Sequence, residues 1–318
     1  MAPLKSLEVN YSLIDSDFQQ FCASQGIFSV EDFLMHDLYV LVALAEQYPT
    51  SDRLKEGITQ ILSIIESQHQ PWQNGLELLE DSQNCKQFLP VGCQRIDAFL
   101  HGGLQQGFLT ELVGPSSSGK TQVCLLAASS IAKTNLGKVM FIDTGNSFSA
   151  KRIVEFFNQN ADHAYSAVND NKILQQVLDN IICRSVFDIF KLLDVLHELL
   201  NNLNYQTGHN LKMLVVDSIS SLITPVLGGN GAHGHALMAT AGFLLKKLAH
   251  DHNLAVLITN HMVAGEGGLT KPALGESWKS IPHVRLMVSR EPASNISTMS
   301  VLMHPAMAVG SRVECGIL

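Results

Sequence analysis

The stretch that decides the fold is Gly114–Thr121, "GPSSSGKT", set between the apolar run "FLTELV" (108–113) and the helix-like "QVCLLAASSIA" (122–132). Gly114 and Gly119 let the backbone wrap tightly. Consecutive N–H groups can then converge on phosphate oxygens at a helix start, which carries roughly half a positive charge. Lys120 is placed to reach the outer phosphates, and Thr121 offers a hydroxyl to magnesium. With Pro115, Ser116, Ser117 and Ser118 filling the turn, the stretch completes the pattern G-x-x-x-x-G-K-[ST] between a strand and a helix. The competing reading is a Ser/Gly-rich connecting loop.

Working outward, the chain from about residue 88 alternates short apolar strands with longer helices. "FLTELV", "KVMFID", "NIICRSV", "KMLVVD", "LAVLIT" and "VRLMVSR" predict strands. "VCLLAASSIA", "SAKRIVEFFNQ", "FDIFKLLDVLHELL" and "HALMATAGFLLKKLAH" predict amphipathic helices between them. The expected fold is α/β, with a mostly parallel twisted sheet covered on both faces and ligands beyond the carboxyl ends of the strands. "KMLVVD" ends in Asp217, the acidic position that holds magnesium in proteins with such a phosphate loop. Taken alone, an Asp at a strand end is as readily a turn or a helix cap.

Before this core the pattern is helical. "SVEDFLMHDLYVLVALAE" opens with Ser29 and has Asp32 three positions on, a variant of the capping box. In "DRLKEGITQILSIIES", Leu54, Ile58, Ile61, Leu62 and Ile65 recur at helical spacing and predict one buried face. The expected organisation is a small all-helical domain over 1–70, a linker over 71–87 rich in Pro, Gly and Asn, and the phosphate-loop core over 88–318.

Composition excludes several classes. The 318 residues are 46% apolar and 16% charged, enough to bury a full core. The amino-terminal stretch lacks the basic region and apolar run of a secretory signal. Between Ser218 and Leu245 no charged residue occurs, but Pro225 and "LGGNG" interrupt any spanning helix, so no membrane role is expected. Six scattered cysteines without a C-x-x-C pair suit reduced thiols inside a cell. The net charge of -8 makes the chain a poor stand-alone binder of DNA, because sequence-independent affinity comes from Lys and Arg replacing counterions. His233, His235, His250 and His252 lack neighbouring ligands at zinc spacing.

"FLPVGCQRIDAFLHGGLQQGFLTELVGPSSSGKTQVCLLAA" resembles the entry to the ATPase core of RecA-like recombinases. "VMFIDTGNSFSAKRI", "MLVVDSISSLI", "AVLITNH" and "KPALGESWKSIPHVRLMVSR" follow in family order over about 87–290. "FDIFKLLDVLHEL" and "TKPALGESW" are especially similar to the D-paralogue branch of the eukaryotic strand-exchange recombinases. The resemblance implies a RecA-like P-loop core that takes ATP and Mg2+, a nuclear protein, and work on DNA.

Position by position, the resemblance has gaps. The family carries a Glu directly after the "D-T" that ends its second core strand, and that carboxylate orients the attacking water. "IDTGNSF" puts Gly145 there, with Asn146 able at most to orient a water. Without the carboxylate, hydrolysis loses a contribution worth ~10²- to 10⁴-fold. Arg152 aligns with an Arg that stacks on adenine; its other reading is a solvated helix charge. Asn260 matches the family Asn beside the phosphate sensor, and His261 replaces the sensing Gln; a structural His is the alternative. The two segments that face DNA in the family, "TPVLGGNGAHGHAL" (224–237) and "MVAGEGGLTKPALG" (262–275), contain between them Lys271 as their only Lys or Arg. "LAEQYPTSDRL" lacks the glycines of the family's helix-hairpin-helix, and no Phe-x-x-Ala tetrapeptide lies near "NGLELLED". That last stretch either docks on a different partner or covers the core.

The expected function is therefore a nucleotide-dependent assembly factor. It would bind ATP, join other recombinase paralogues, and with them load the recombinase on single-stranded or branched DNA during homologous-recombination repair of double-strand breaks. Hydrolysis would be slow at most. The alternative is a DNA-stimulated ATPase with strand-exchange activity of its own. A small-molecule P-loop kinase would need an Arg-rich lid, which the sequence lacks.

Overall fold

The computed structural model describes residues 4–8, 11–68, 74–76, 79, 87–134, 136–159, 167–205, 210–228, 232–265, 270–290 and 296–316. The chain divides into two compact units, Met1–Asn84 and Cys85–Leu318. Most of the expected linker 71–87 lies outside the described residues.

The first unit is helical, with α1 Leu4–Leu7, α2 Ser16–Ser24, α3 Val30–Leu34, α4 Leu38–Ala45 and α5 Ser51–Gln68. The capping pair forms as the spacing requires. Ser29 Oγ accepts the Asp32 N–H at 3.2 Å, and Asp32 Oδ2 accepts the Ser29 N–H at 3.0 Å. The single helix expected from this start is instead two. Asp37 accepts the Tyr39 N–H at 2.9 Å and caps a new helix, because a short carboxylate competes for backbone donors. Among the described side chains of α5, the buried hydrophobic ones are Leu54, Ile58, Ile61, Ile64 and Ile65. Leu62 is only half-buried. Leu62 and Ile64 flank the stripe on opposite sides, and the core lies on the Ile64 side.

The second unit runs β1 Phe88–Leu89, α6 Gln94–Phe99, β2 Leu104–Gln105, β3 Leu109–Gly114, α7 Lys120–Lys133, β4 Lys138–Asp143, α8 Ala150–Gln159, α9 Ala167–Asp179, β5 Ile181–Ser185 and α10 Ile189–Tyr205. It continues with β6 Leu211–Asp217, α11 Ile219–Leu227, α12 Ala232–Asp251, β7 Ala255–Ala264, β8 Thr270–Pro272, α13 Gly275–Lys279, β9 Val284–Arg290, β10 Ser297–Met303 and β11 Arg312–Cys315. The main sheet has the order β11-β10-β9-β3-β7-β6-β4-β5. From β9 to β5 every pair is parallel, whereas β10 and β11 add on antiparallel.

Side-chain alternation explains why the central strands are apolar throughout. Met213 and Val215 of β6, with Ala255 and Leu257 of β7, enter one core with α7 and α8. Leu214, Val216, Val256 and Ile258 enter a second core with α10, α11 and α12. Both faces are covered, as continuous apolar strands require. This is the α/β, RecA-like arrangement that the sequence predicts.

The two segments expected as DNA-facing loops are more ordered than that reading. Residues 224–227 end α11 and 232–237 begin α12, so the first is largely helical, and 229–231 lie outside the described residues. Gly234 permits the close approach of α12 to the end of α11: a Cβ there would lie 2.1 Å from the Val226 carbonyl oxygen, a clash only glycine avoids. In the second segment β7 extends to Ala264 and pairs antiparallel with β8, with Val263 opposite Lys271.

Candidate functional site

The carboxyl ends of four strands meet at one edge of the sheet. Gly114 at the end of β3 pairs in register with His261 of β7, and Asp143 of β4 pairs with Asp217 of β6. Loops leaving these ends therefore share one crevice, the position where parallel sheets hold ligands.

The phosphate loop is built for close approach. A Cβ on Gly114 would lie 2.2 Å from the Val288 carbonyl oxygen and 2.7 Å from Ser118 Oγ. Ser117 (φ +62°) and Gly119 (φ +104°) take left-handed backbone, and Gly119 caps α7. Lys120 is buried and donates from Nζ to the carbonyls of Gly114 at 2.7 Å and Pro115 at 2.8 Å. Burial pushes the Lys120 pKa down, with the nearby Asp217 acting against it. Ser118 Oγ is buried without a hydrogen-bond partner among the described residues. Such an orphan costs ~1–3 kcal/mol, which a bound oxyanion would recover. Pro115, Ser116 and Ser117 are exposed at the rim.

Thr121 and Asp217 come together as the sequence predicts. Thr121 Oγ1 donates to Asp217 Oδ2 at 2.7 Å. Sequence reasoning missed two further partners: Ser147 Oγ donates to the same oxygen at 3.1 Å, and Thr259 Oγ1 donates to Oδ1. Thr259 was legible from strand alternation, since it lies two residues before His261 on one face of β7. Among the described residues no three His, Cys, Asp or Glu side chains cluster as metal ligands. One carboxylate and one hydroxyl suit a hard cation that keeps several waters, as magnesium does beside phosphates.

Gly145 follows Asp143 and Thr144. A Cβ at this position would meet nothing within 4 Å, so the place where the resemblance requires a carboxylate is open space. Asp143 is itself occupied. Burial raises its pKa, but the N–H groups of Phe148, Ser147 and Gly145, with the Ser147 hydroxyl, outweigh this and hold it below the usual carboxylate range.

His261 lies on the phosphate side. Its Nε2 is 3.0 Å from Ser218 Oγ, and its N–H donates to Ser220 Oγ at 3.1 Å. Burial and Lys120 push the imidazole pKa down, opposed by Asp217.

Asn260 is not brought to the phosphate loop, which corrects its expected place beside the sensor. Strand alternation sends it the other way. Its Nδ2 donates to Glu111 Oε1 at 2.8 Å and to the Ala273 carbonyl at 3.0 Å. Glu111 is fully buried, accepts Trp278 Nε1–H at 2.8 Å and pairs with Arg285. This network fastens β3, β7, β9 and α13 together.

Arg152, on α8, is not a solvated charge. Its Nε donates to Gln122 Oε1 at 2.7 Å, its Nη1 to Glu155 Oε2 at 2.7 Å, and its guanidinium lies 4.3 Å from the Phe156 ring centroid. Gln122 follows Thr121 on α7, so Arg152 is tied to the helix that leaves the phosphate loop.

Comparison with known proteins agrees with this geometry. Residues 86–289 match the Rad51 family. The chain is 33% identical over 285 residues to DNA repair protein RAD51 homolog 4 of Bos taurus, covering 88% of this chain and 84% of that protein. It is 31% identical over 248 residues to the probable DNA repair protein RAD51 homolog 4 of Dictyostelium discoideum, covering 69% of this chain and 70% of that protein. It is also 27% identical over 243 residues to DNA repair protein RAD51 homolog 3 of Cricetulus griseus, covering 70% and 65%. A phosphate loop at the end of the central strand, an aspartate at the end of β6 and a match over the whole nucleotide-binding core make this chain a member of the Rad51 family of RecA-like ATPases.

Proposed function

We propose that the chain binds ATP with magnesium at the Gly114–Thr121 loop and acts as an assembly factor in homologous-recombination repair of DNA double-strand breaks. In this reading it works in the nucleus as one subunit of a hetero-oligomer of recombinase paralogues on single-stranded or branched DNA. The domains are those read from sequence: a helical domain over 1–70, a linker over 71–87 and the ATP-binding core over 88–318.

The observation that carries the reading is a holding site beside an empty hydrolytic position. Lys120, Thr121 and Asp217 converge at the loop, while Gly145 leaves open the place of the water-orienting carboxylate. Lys120 and the loop residues Gly114–Gly119 would hold the phosphates, Thr121 and Asp217 the ion, and His261 would face the terminal phosphate. Arg152 would present the adenine side. ATP held this way supplies binding energy for assembly, and turnover is slow. The names of the similar proteins, DNA repair proteins that are homologues of RAD51, support the cellular role. Among the described residues no helix is long and apolar enough to cross a membrane.

The test is to mix the purified chain with candidate paralogues and measure molar mass by light scattering, with and without ATP and magnesium. Discrete hetero-oligomers are expected. Filaments made of this chain alone would contradict the assembly reading.

A further inference from the structure

Two cysteines that the phosphate site does not use lie in one apolar cluster. Cys315 is buried on β11, and Cys93, half-buried, packs against the same cluster from the residue that precedes α6. A second contact joins the same two segments. Arg95, two residues after Cys93, reaches the carbonyl of Glu314, the residue before Cys315, at 3.4 Å.

Cys93 also bears on the Cys315 thiol. Burial, then the neighbouring Cys93, push the Cys315 thiol up to about 11, with Arg95 acting the other way. Cys93 takes the cap position of α6 without making a side-chain cap hydrogen bond, so its sulfur is not committed to the backbone. Cys315 Sγ donates to the Ser297 carbonyl at 3.4 Å, a weak bond that does not bar reaction. The pair therefore divides the labour of a redox couple: an accessible thiol that meets the oxidant and a buried one that resolves the product.

We propose that Cys93 and Cys315 form a reversible disulfide when the protein meets a peroxide. The Cys93 thiolate attacks one peroxide oxygen, giving the sulfenic acid and releasing hydroxide, which takes up a proton. The Cys315 thiolate, formed on loss of its proton, then attacks the sulfenic sulfur. The S–S bond forms as the S–O bond breaks, and water leaves. Two thiols are oxidised by two electrons and one peroxide is reduced to two waters. The bond would fasten the last strand, at the antiparallel edge of the sheet, to α6.

The sequence makes the test direct. Trypsin places Cys93 in the peptide 87–95 and Cys315 in 313–318, each with a single cysteine, and leaves Cys85 in the peptide upstream. The full chain is treated with hydrogen peroxide under native conditions, alkylated, digested without reductant and analysed by mass spectrometry. The expected product is the linked pair 87–95/313–318, absent after dithiothreitol. In Cys315→Ser, Cys93 should progress to sulfinic acid; in Cys93→Ser, Cys315 should stay reduced. Circular dichroism of each variant checks the fold, and the wild-type cross-link needs no variant at all. Oxidation of Cys93 without the link, or linkage of Cys93 to Cys85 instead, would overturn the proposal.

Discussion

Thr121 Oγ1 donates to Asp217 Oδ2 at 2.7 Å, joining the first turn of α7 to the carboxyl end of β6. Residues far apart in sequence are thereby joined beside the phosphate loop. Replacing Asp217 by Asn keeps the shape and removes the charge. Mg2+-dependent ATP affinity should fall by about 10–100-fold, while affinity measured in EDTA stays unchanged. Fluorescence titration with a labelled ATP analogue, with and without magnesium, checks both halves.

Gly145→Glu should fold, because nothing lies within 4 Å of the new Cβ. If the missing carboxylate limits turnover, the variant should hydrolyse ATP about 10²- to 10⁴-fold faster than the wild type. A phosphate-release assay reads the rate. Fast turnover by the wild-type chain itself would count against the reading of this position.

Glu111 serves the fold rather than the ligand. Its carboxylate is fully buried and takes donors from Asn260, Trp278 and Arg285. Glu111→Ala leaves the Arg285 guanidinium buried without its partner and should destabilise the core by about 3–5 kcal/mol. Chemical denaturation measures this, and Glu111→Gln, which keeps acceptors for Asn260 and Trp278, should lose less.

Asp143 adds a pH dependence whose sign is fixed by its depressed pKa. Its contribution to stability is fully present above the unfolded-state value of about 3.9 and is lost as pH falls through the lower folded value. The wild type should therefore lose stability steeply below about pH 4. Asp143→Asn should be less stable at pH 7 and show a shallower acid limb. Thermal midpoints from pH 2 to pH 7 test the difference.

Much of this architecture could be read before any coordinates. The six predicted strands, the phosphate loop and Asp217 carry dense local signals: continuous apolar runs, fixed glycines and an acidic strand end. β10 and β11 were missed because "STMSVLM" opens on polar residues that break the apolar run and "RVEC" is short and charged. They are ordered by pairing with β9, which is a tertiary effect. α9 was missed because "AVNDNKILQQVLD" starts without a clear cap and carries mixed polarity. The misplacement of Asn260 had a different origin. Family order fixed its position along β7 but not its face, and alternation from His261 would have turned it away from the phosphates. The Glu111 network was invisible for a related reason: a buried carboxylate in an apolar strand declares itself only when its donors, distant in sequence, are brought beside it.

The Lys120 amine is the one positive side chain that the loop buries. Isothermal titration of the chain with ATP and magnesium should show one nucleotide bound per chain. Lys120→Ala, folded by circular dichroism, should show no detectable binding at concentrations that saturate the wild type. Equal affinity in the two proteins, or no binding by the wild type, would contradict the assignment of this loop as the nucleotide site.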